Sequence, residues 1–321
     1  MRAPIDRRTF LARSSVAAAS VAFGRRTWAA ADGPNVAVVR CDRVLRDGRL
    51  DAGLLGQMVD RAVMLATGAK SADNAWESLF SSDEKVGIKP NGLAGYECST
   101  APEVVAHCVH RLQGLGVKPD NIIVWEEQPV QLAACGVPLD QVPWGVRALL
   151  THDNLGDTVT SERFQDRVFA PLLNEVDAVL NLPILKCHPI CGVTLAMKNH
   201  FGSIGRPADQ HFEQCHPAIV GLSGISAIKD RTRLIVTDCT RALIQGEATG
   251  EPQWYPGTIM AATDPVAHDA TGWRMLEAER ARRGMPTFAA AGVEPRYIKM
   301  AEDAGLGIAD ESRISLRTAE L

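Results

Sequence analysis

"GLGVKPDNIIVWE", residues 114–126, holds a helix stop, a turn and a strand in one short run. Gly116 and Pro119 punctuate the change: glycine accepts the left-handed backbone that ends a helix, and proline cannot continue one. The β-branched run that follows, Ile122, Ile123 and Val124, reads as a strand buried on both faces. Upstream, residues 102–115 space their apolar side chains three and four apart, the period of a helix with one buried stripe.

The same alternation extends in both directions. Short apolar runs at 35–40 (NVAVVR), 85–89 (KVGIK), 177–182 (DAVLNL), 233–238 (RLIVTD) and 258–263 (TIMAAT) read as strands, and amphipathic stretches near 51–67, 216–229 and 264–283 read as helices. Strands and helices in turn predict an α/β fold with a mainly parallel sheet, covered by helices on both faces and carrying loop insertions. Residues 126–170, rich in Pro and Gln and weak in period, are expected to make an excursion over the sheet. No internal repeat or long linker divides the chain, so residues 32–321 are read as a single α/β domain.

Residues 1–31 are read separately, as a leader. A basic start, an apolar run from Ser14 to Phe23 and small residues at the end make a signal peptide. Its apolar run is shorter than the roughly 20 residues that span a bilayer, so no permanent membrane anchor is expected. Arg7-Arg8 followed by Thr9, Phe10 and Leu11 resembles a twin-arginine export signal, which implies the export machinery as a partner and a periplasmic or extracellular location. Ala29 and Ala31 fit small-x-small cleavage. Removing the leader takes away six Arg and one Asp, leaving 28 Lys plus Arg against 37 Asp plus Glu, a net charge near −9. So acidic a chain is ill suited to nucleic acid or anionic lipid. All eight cysteines lie beyond the leader, but no C-x2-C pair or ferredoxin-type run occurs, so no self-contained iron–sulfur cluster is expected. Folding before export leaves their pairing open.

In open α/β sheets ligands bind beyond the carboxyl ends of strands, so the residues that follow each apolar run matter most. KVGIK runs into Lys89, Pro90, Asn91 and Gly92; DAVLNLPILK into Lys186, Cys187 and His188; RLIVTD into Asp238 and Cys239; TIMAAT into Asp264. Lysine ammonium groups and a backbone freed by glycine suit a carboxylate or phosphate. Residues 194–201 read as a helical turn capped by Thr194, with free N–H groups facing an anion and with Lys198, Asn199 and His200 projecting from it. A divalent metal is the competing expectation, with Cys187, Cys191 and His188 joined by His200, His211, Cys215 and His216 as candidate ligands.

The blocks VGIKPN, AVLNLPILKCH, GVTLAMKNHFGSIG, HPAIVGL, LIVTD and ATDPVAHDATG, in this order and spacing, resemble the family called domain of unknown function 362, over roughly residues 85–275. The resemblance carries the family's polar motif onto Lys89, Asn91, Lys186, His188, Thr194, Lys198, Asn199, His216 and Asp264. Cys187 and Cys191 fall outside that pattern. Family members are often exported or fused to ferredoxin-like domains, which implies redox or metal-linked work; the ferredoxin cysteines are missing here.

Two functions follow as expectations. One is an exported metal- or redox-linked enzyme acting on an anionic small molecule, with His188, Lys186 and Lys198 as catalytic residues and Lys89, Asn91, Thr194, Asn199 and Asp264 binding the ligand. In it His188 works as acid or base near its ordinary pKa. The other is a protein that binds a metal or cofactor without turnover. No serine nucleophile elbow, P-loop or G-x-G-x-x-G occurs to support hydrolase, kinase or dinucleotide chemistry.

Overall fold

A computed structural model of the chain describes residues 33–211 and 215–321. The expected leader lies outside the described residues. Strand β1 (Asn35–Arg40) is followed by a small hairpin, β2 (Leu45–Arg46) and β3 (Arg49–Leu50). Helices α1 (Ala52–Thr67) and α2 (Ala72–Glu77) lead to β4 (Val86–Pro90), α3 (Pro102–Gly114) to β5 (Ile122–Glu126), and α4 (Pro129–Ala134) to β6 (Arg147–Leu150). A second hairpin, β7 (Leu155–Ser161) and β8 (Phe164–Phe169), precedes α5 (Ala170–Asn174), β9 (Ala178–Leu182), β10 (Ile184–His188), β11 (Gly192–Thr194) and α6 (Ala196–Asn199). Helices α7 (Cys215–Ser223) and α8 (Ser226–Lys229), strands β12 (Thr232–Leu243) and β13 (Thr258–Ala262), helices α9 (Pro265–Arg282) and α10 (Tyr297–Asp303), and strand β14 (Ser315–Glu320) complete the order.

The main sheet runs β14-β1-β13-β12-β9-β4-β5-β6, with β10 and β11 continuing beside the far half of β12. The pairs β12/β9, β9/β4, β4/β5, β5/β6 and β1/β14 are parallel. Strand β13 is antiparallel to both its neighbours. Helices cover both faces, as the sequence predicts, and the opening stretch shows why. Gly116 takes φ +89, the turn at Pro119 follows, and Ile122 pairs with Val86. Successive β5 side chains then point to opposite faces. Ile122 and Val124 pack with Leu55 of α1 and Val104 of α3, whereas Ile123 and Trp125 join Val220 of α7 and Leu276 of α9.

Three elements differ from the sequence reading. The helix expected over 216–229 breaks at Gly224 into α7 and α8. Strand β12 runs on past Asp238 to Leu243, because β10 gives its second half a parallel partner. Residues 126–170 are only partly an excursion: β6 extends the main sheet, and β7 and β8 form their own hairpin beneath α7. Among the described residues no helix is long and apolar enough to cross a membrane.

Candidate functional site

Lys89 is the last residue but one of β4, and its Nζ lies 2.9 Å from Oε1 of Glu126, which ends the neighbouring β5; both side chains are buried. Nζ also donates to Pro90 O at 2.7 Å, and Glu126 Oε1 accepts from Gly92 N at 2.7 Å. Lys89 therefore has its counter-charge inside the protein. The expectation that it neutralises a ligand is corrected, because a buried ammonium already paired with a carboxylate offers little to a second anion. Glu126 escaped the sequence reading although it closes the opening stretch; applying the strand-end rule to β5 would have found it.

Asparagines link this pair to the next lysine. Lys186 Nζ donates to Asn91 Oδ1 at 2.9 Å, and Asn91 Nδ2 to Asn199 Oδ1 at 2.9 Å. Asn199 Nδ2 donates to Asn181 Oδ1 at 2.7 Å and to Lys89 O at 3.0 Å. Asn181, a polar residue within the apolar β9, is a second residue that sequence reasoning missed. Lys186 is fully buried, and burial draws its pKa down to about 8. Its β-ladder partner in β11 is Thr194, whose buried Oγ1 has no hydrogen-bond partner among the described residues.

Thr194 does not cap a helix. Helix α6 starts after it, and the N–H groups of Ala196 and Met197 donate to the carboxylate of Asp269 at 2.8 and 3.2 Å. The anion expected at this helix start is thus a side chain of α9, which also accepts from Tyr297 Oη at 3.2 Å. Asp264 is likewise occupied: it caps α9 through Val266 and Ala267 N–H and accepts from Ile308 N.

Lys198 projects from α6 into a second group. Its Nζ sits 3.1 Å from His211 Nε2 and 3.7 Å from the centroid of the Phe201 ring. Burial lowers its pKa. His211 stacks on His188, with ring centroids 5.4 Å apart. The Nδ1 of His188 accepts from Ile190 N at 3.1 Å and Cys191 N at 3.4 Å, so the neutral ring carries its proton on Nε2. Burial, followed by the charge of Lys198, pushes His188 down to about 2. The expectation of an ordinary histidine pKa is corrected: in the free chain His188 is a neutral hydrogen-bond donor.

Among the described residues no three His, Cys, Asp or Glu side chains converge as a metal site. The expected ligands form at most pairs, His188 with His211 and Cys191 with Cys215, and the others lie elsewhere. Cys187 turns its thiol to Gly246 O at 3.7 Å, while its strand neighbours Lys186 and His188 face the polar groups, as β alternation requires. His200 belongs with Asn181, and His216 stacks on Tyr297 and accepts from its N–H. Cys191 and Cys215 are neighbours: burial raises the Cys191 thiol, whose Sγ donates to Val193 O at 3.6 Å, and the influence of Cys191 lowers Cys215. All eight cysteines are free and buried.

The class is that of α/β proteins with a buried lysine–asparagine network at the carboxyl edge of a mainly parallel sheet. The profile of the family described as "Domain of unknown function (DUF362)" matches residues 86–274, a span that holds the candidate residues from Lys89 to Asp264, and the chain belongs to that family. No curated protein matches it. It is similar to a Thermotoga maritima protein of known crystal structure, with a TM-score of 0.36 and 10% identity over 64% of this chain and 54% of that one. The chain thus spans about half the length of that protein.

Proposed function

We propose that this chain is an exported protein that binds a small anionic molecule between Lys186 and Lys198 and processes it with His188. One observation carries the reading: among the described residues, these two buried lysines have no carboxylate partner within salt-bridge distance, and the unpartnered Thr194 hydroxyl neighbours Lys186. Buried charges and hydroxyls without partners are destabilising, and a carboxylate or phosphate would supply partners to all of them. Asn91 holds Lys186 in position, and Asn199 holds Asn91. His188 Nε2–H is then a further donor to the ligand. An anion beside it would favour the imidazolium, so binding itself makes His188 available as an acid.

A second reading, metal or cofactor binding without turnover, is favoured by the two neighbouring thiols of Cys191 and Cys215, both close enough to Lys198 to act on its charge. Titration calorimetry with inorganic phosphate and with malonate separates the two. The wild-type chain should bind at least one of them, Lys198→Met should weaken binding by about tenfold or more, and the Cys187→Ser, Cys191→Ser double variant should keep it. No binding of either anion, or loss only in the cysteine variant together with loss of a co-purifying metal, defeats the anion reading. Export rests on residues 1–31, and recovery of the processed chain in the periplasmic fraction of an expressing cell checks it.

A further inference from the structure

A cavity of about 670 Å³ borders the asparagine network through Asn181 but is lined by neither Lys186 nor Lys198, and it carries chemistry that the anion reading does not use. Its lining includes Asn35 and Thr232, the first residues of β1 and β12, and Thr263, just past the reversed β13. These mark the amino edge of the parallel strands. The lining also reaches Asn181, a member of the asparagine network, together with Met197 and His200. Its size is that of a small-molecule site.

Three buried polar atoms that find no hydrogen-bond partner among the described residues belong to this one lining: His200 Nδ1, Ser223 Oγ and Thr232 Oγ1. Buried polar atoms are nearly always paired, so three orphans around one space call for a common partner. The protonation of His200 follows from its neighbour. Asn181 Nδ2 donates to the carbonyl of Ala196 at 2.9 Å, which fixes the amide's orientation, and the same Nδ2 lies 3.4 Å from His200 Nε2. Nε2 is therefore the acceptor and Nδ1 carries the hydrogen. Burial, then the charge of Lys89, pushes His200 down to about 3, so the ring is neutral. The remaining wall combines apolar side chains, among them Ala66, Leu79, Met197, Ile228 and Leu306, with Asn35, Lys229 and Asp264, whose carboxylate is already taken by the N–H groups of Val266, Ala267 and Ile308.

We propose that this cavity is a second ligand site, for an uncharged and mostly apolar small molecule whose carbonyl oxygen accepts from His200 Nδ1–H. The Ser223 and Thr232 hydroxyls complete the polar contacts. The site stands independently of the anion reading, since it shares neither Lys186 nor Lys198 with it.

Benzophenone and diphenylmethane test it as a matched pair, one with and one without the carbonyl. Benzophenone should bind the full chain saturably and at least about fivefold more tightly than diphenylmethane, the discrimination that one buried hydrogen bond supplies. Under ultraviolet light it inserts into nearby C–H bonds, and peptide mass spectrometry should find the adduct on Met197 or Leu306. His200→Phe should erase the preference for the ketone, and Leu306→Trp should block both compounds. If His200→Phe fails to fold, Ser223→Ala serves in its place, with a smaller loss of preference. Absence of saturable binding, equal binding of the two compounds to the wild-type chain, or labelling only outside the cavity overturns the proposal.

Discussion

Lys89 is buried because Glu126 is buried with it. Neither side chain is stable alone in that position: an isolated charge in a protein interior loses its hydration, and the partner's field with further hydrogen bonds must replace it. Pro90 O and Gly92 N supply those bonds. Glu126→Gln should therefore destabilise the chain by about 3–5 kcal/mol, since Lys89 is left charged and uncompensated. Replacing both residues, Lys89→Met with Glu126→Leu, should recover most of that loss. Urea unfolding midpoints of the three chains check the order, and a single variant as stable as the double would contradict it. At this scale the sequence marked Lys89, Asn91, Lys186 and His188 as polar groups at strand ends and Lys198 on the helical turn that follows. It did not reveal whether a lysine meets a protein carboxylate, because that depends on a residue one strand away.

At the scale of elements, close approach decides which small residues are needed. Gly221 brings α7 onto the β7–β8 hairpin: a Cβ there would lie 2.7 Å from Phe164 Cβ and 2.9 Å from the Arg163 carbonyl carbon. Alanine gains about 1 kcal/mol over glycine in a helix interior, but overpacking against backbone costs about 1–3 kcal/mol and no side-chain rotation relieves it. Gly221→Ala should thus be destabilising. Gly114, the last residue of α3, has no described atom beyond its own helix and chain neighbours within 4 Å of where its Cβ would lie, and Gly114→Ala should be neutral or stabilising by up to about 1 kcal/mol. Thermal unfolding of both variants provides the comparison, and a stabilised Gly221→Ala would refute the packing account. The start of α6 shows the same dependence on neighbours. A helix N-terminus attracts an anion, as the sequence predicts, yet Asp269 of α9 fills the role.

Over the whole molecule, buried basic groups tie stability to pH. His188 and His200 are held at about 2 and about 3 in the folded chain, against about 6.5 when unfolded. Between those values the unfolded chain binds more protons than the folded one. Their contribution is therefore fully present above about pH 6.5 and is lost as pH falls, at about 1.4 kcal/mol per pH unit for each ring. Lys186, lowered to about 8, acts in the alkaline window, where stability rises as pH increases from about 8 towards 10.5. Urea titrations from pH 4 to 7 should show His200→Phe flattening the slope by about one proton relative to wild type. An unchanged slope would mean that His200 titrates alike in both states.

The sequence by itself determined what depends on near neighbours along the chain. Helical and strand periods placed β1, β4, β5, β9 and β13, as well as α1, α3 and α9, within a residue or so, and their alternation defined a covered, mainly parallel sheet. These signals are local, since each element declares the face it buries. Only the tertiary structure decided the partners. Asn91 meets Lys186 across 95 residues of chain, and Asp269 reaches Ala196 across 73. It likewise gathered His200, Ser223 and Thr232 around one cavity, although no motif joins them. Hydrogen bonds and ion pairs act over a few ångströms of space, and the distance between two residues in space is set by how strands are ordered and how helices pack, which local periodicity does not encode.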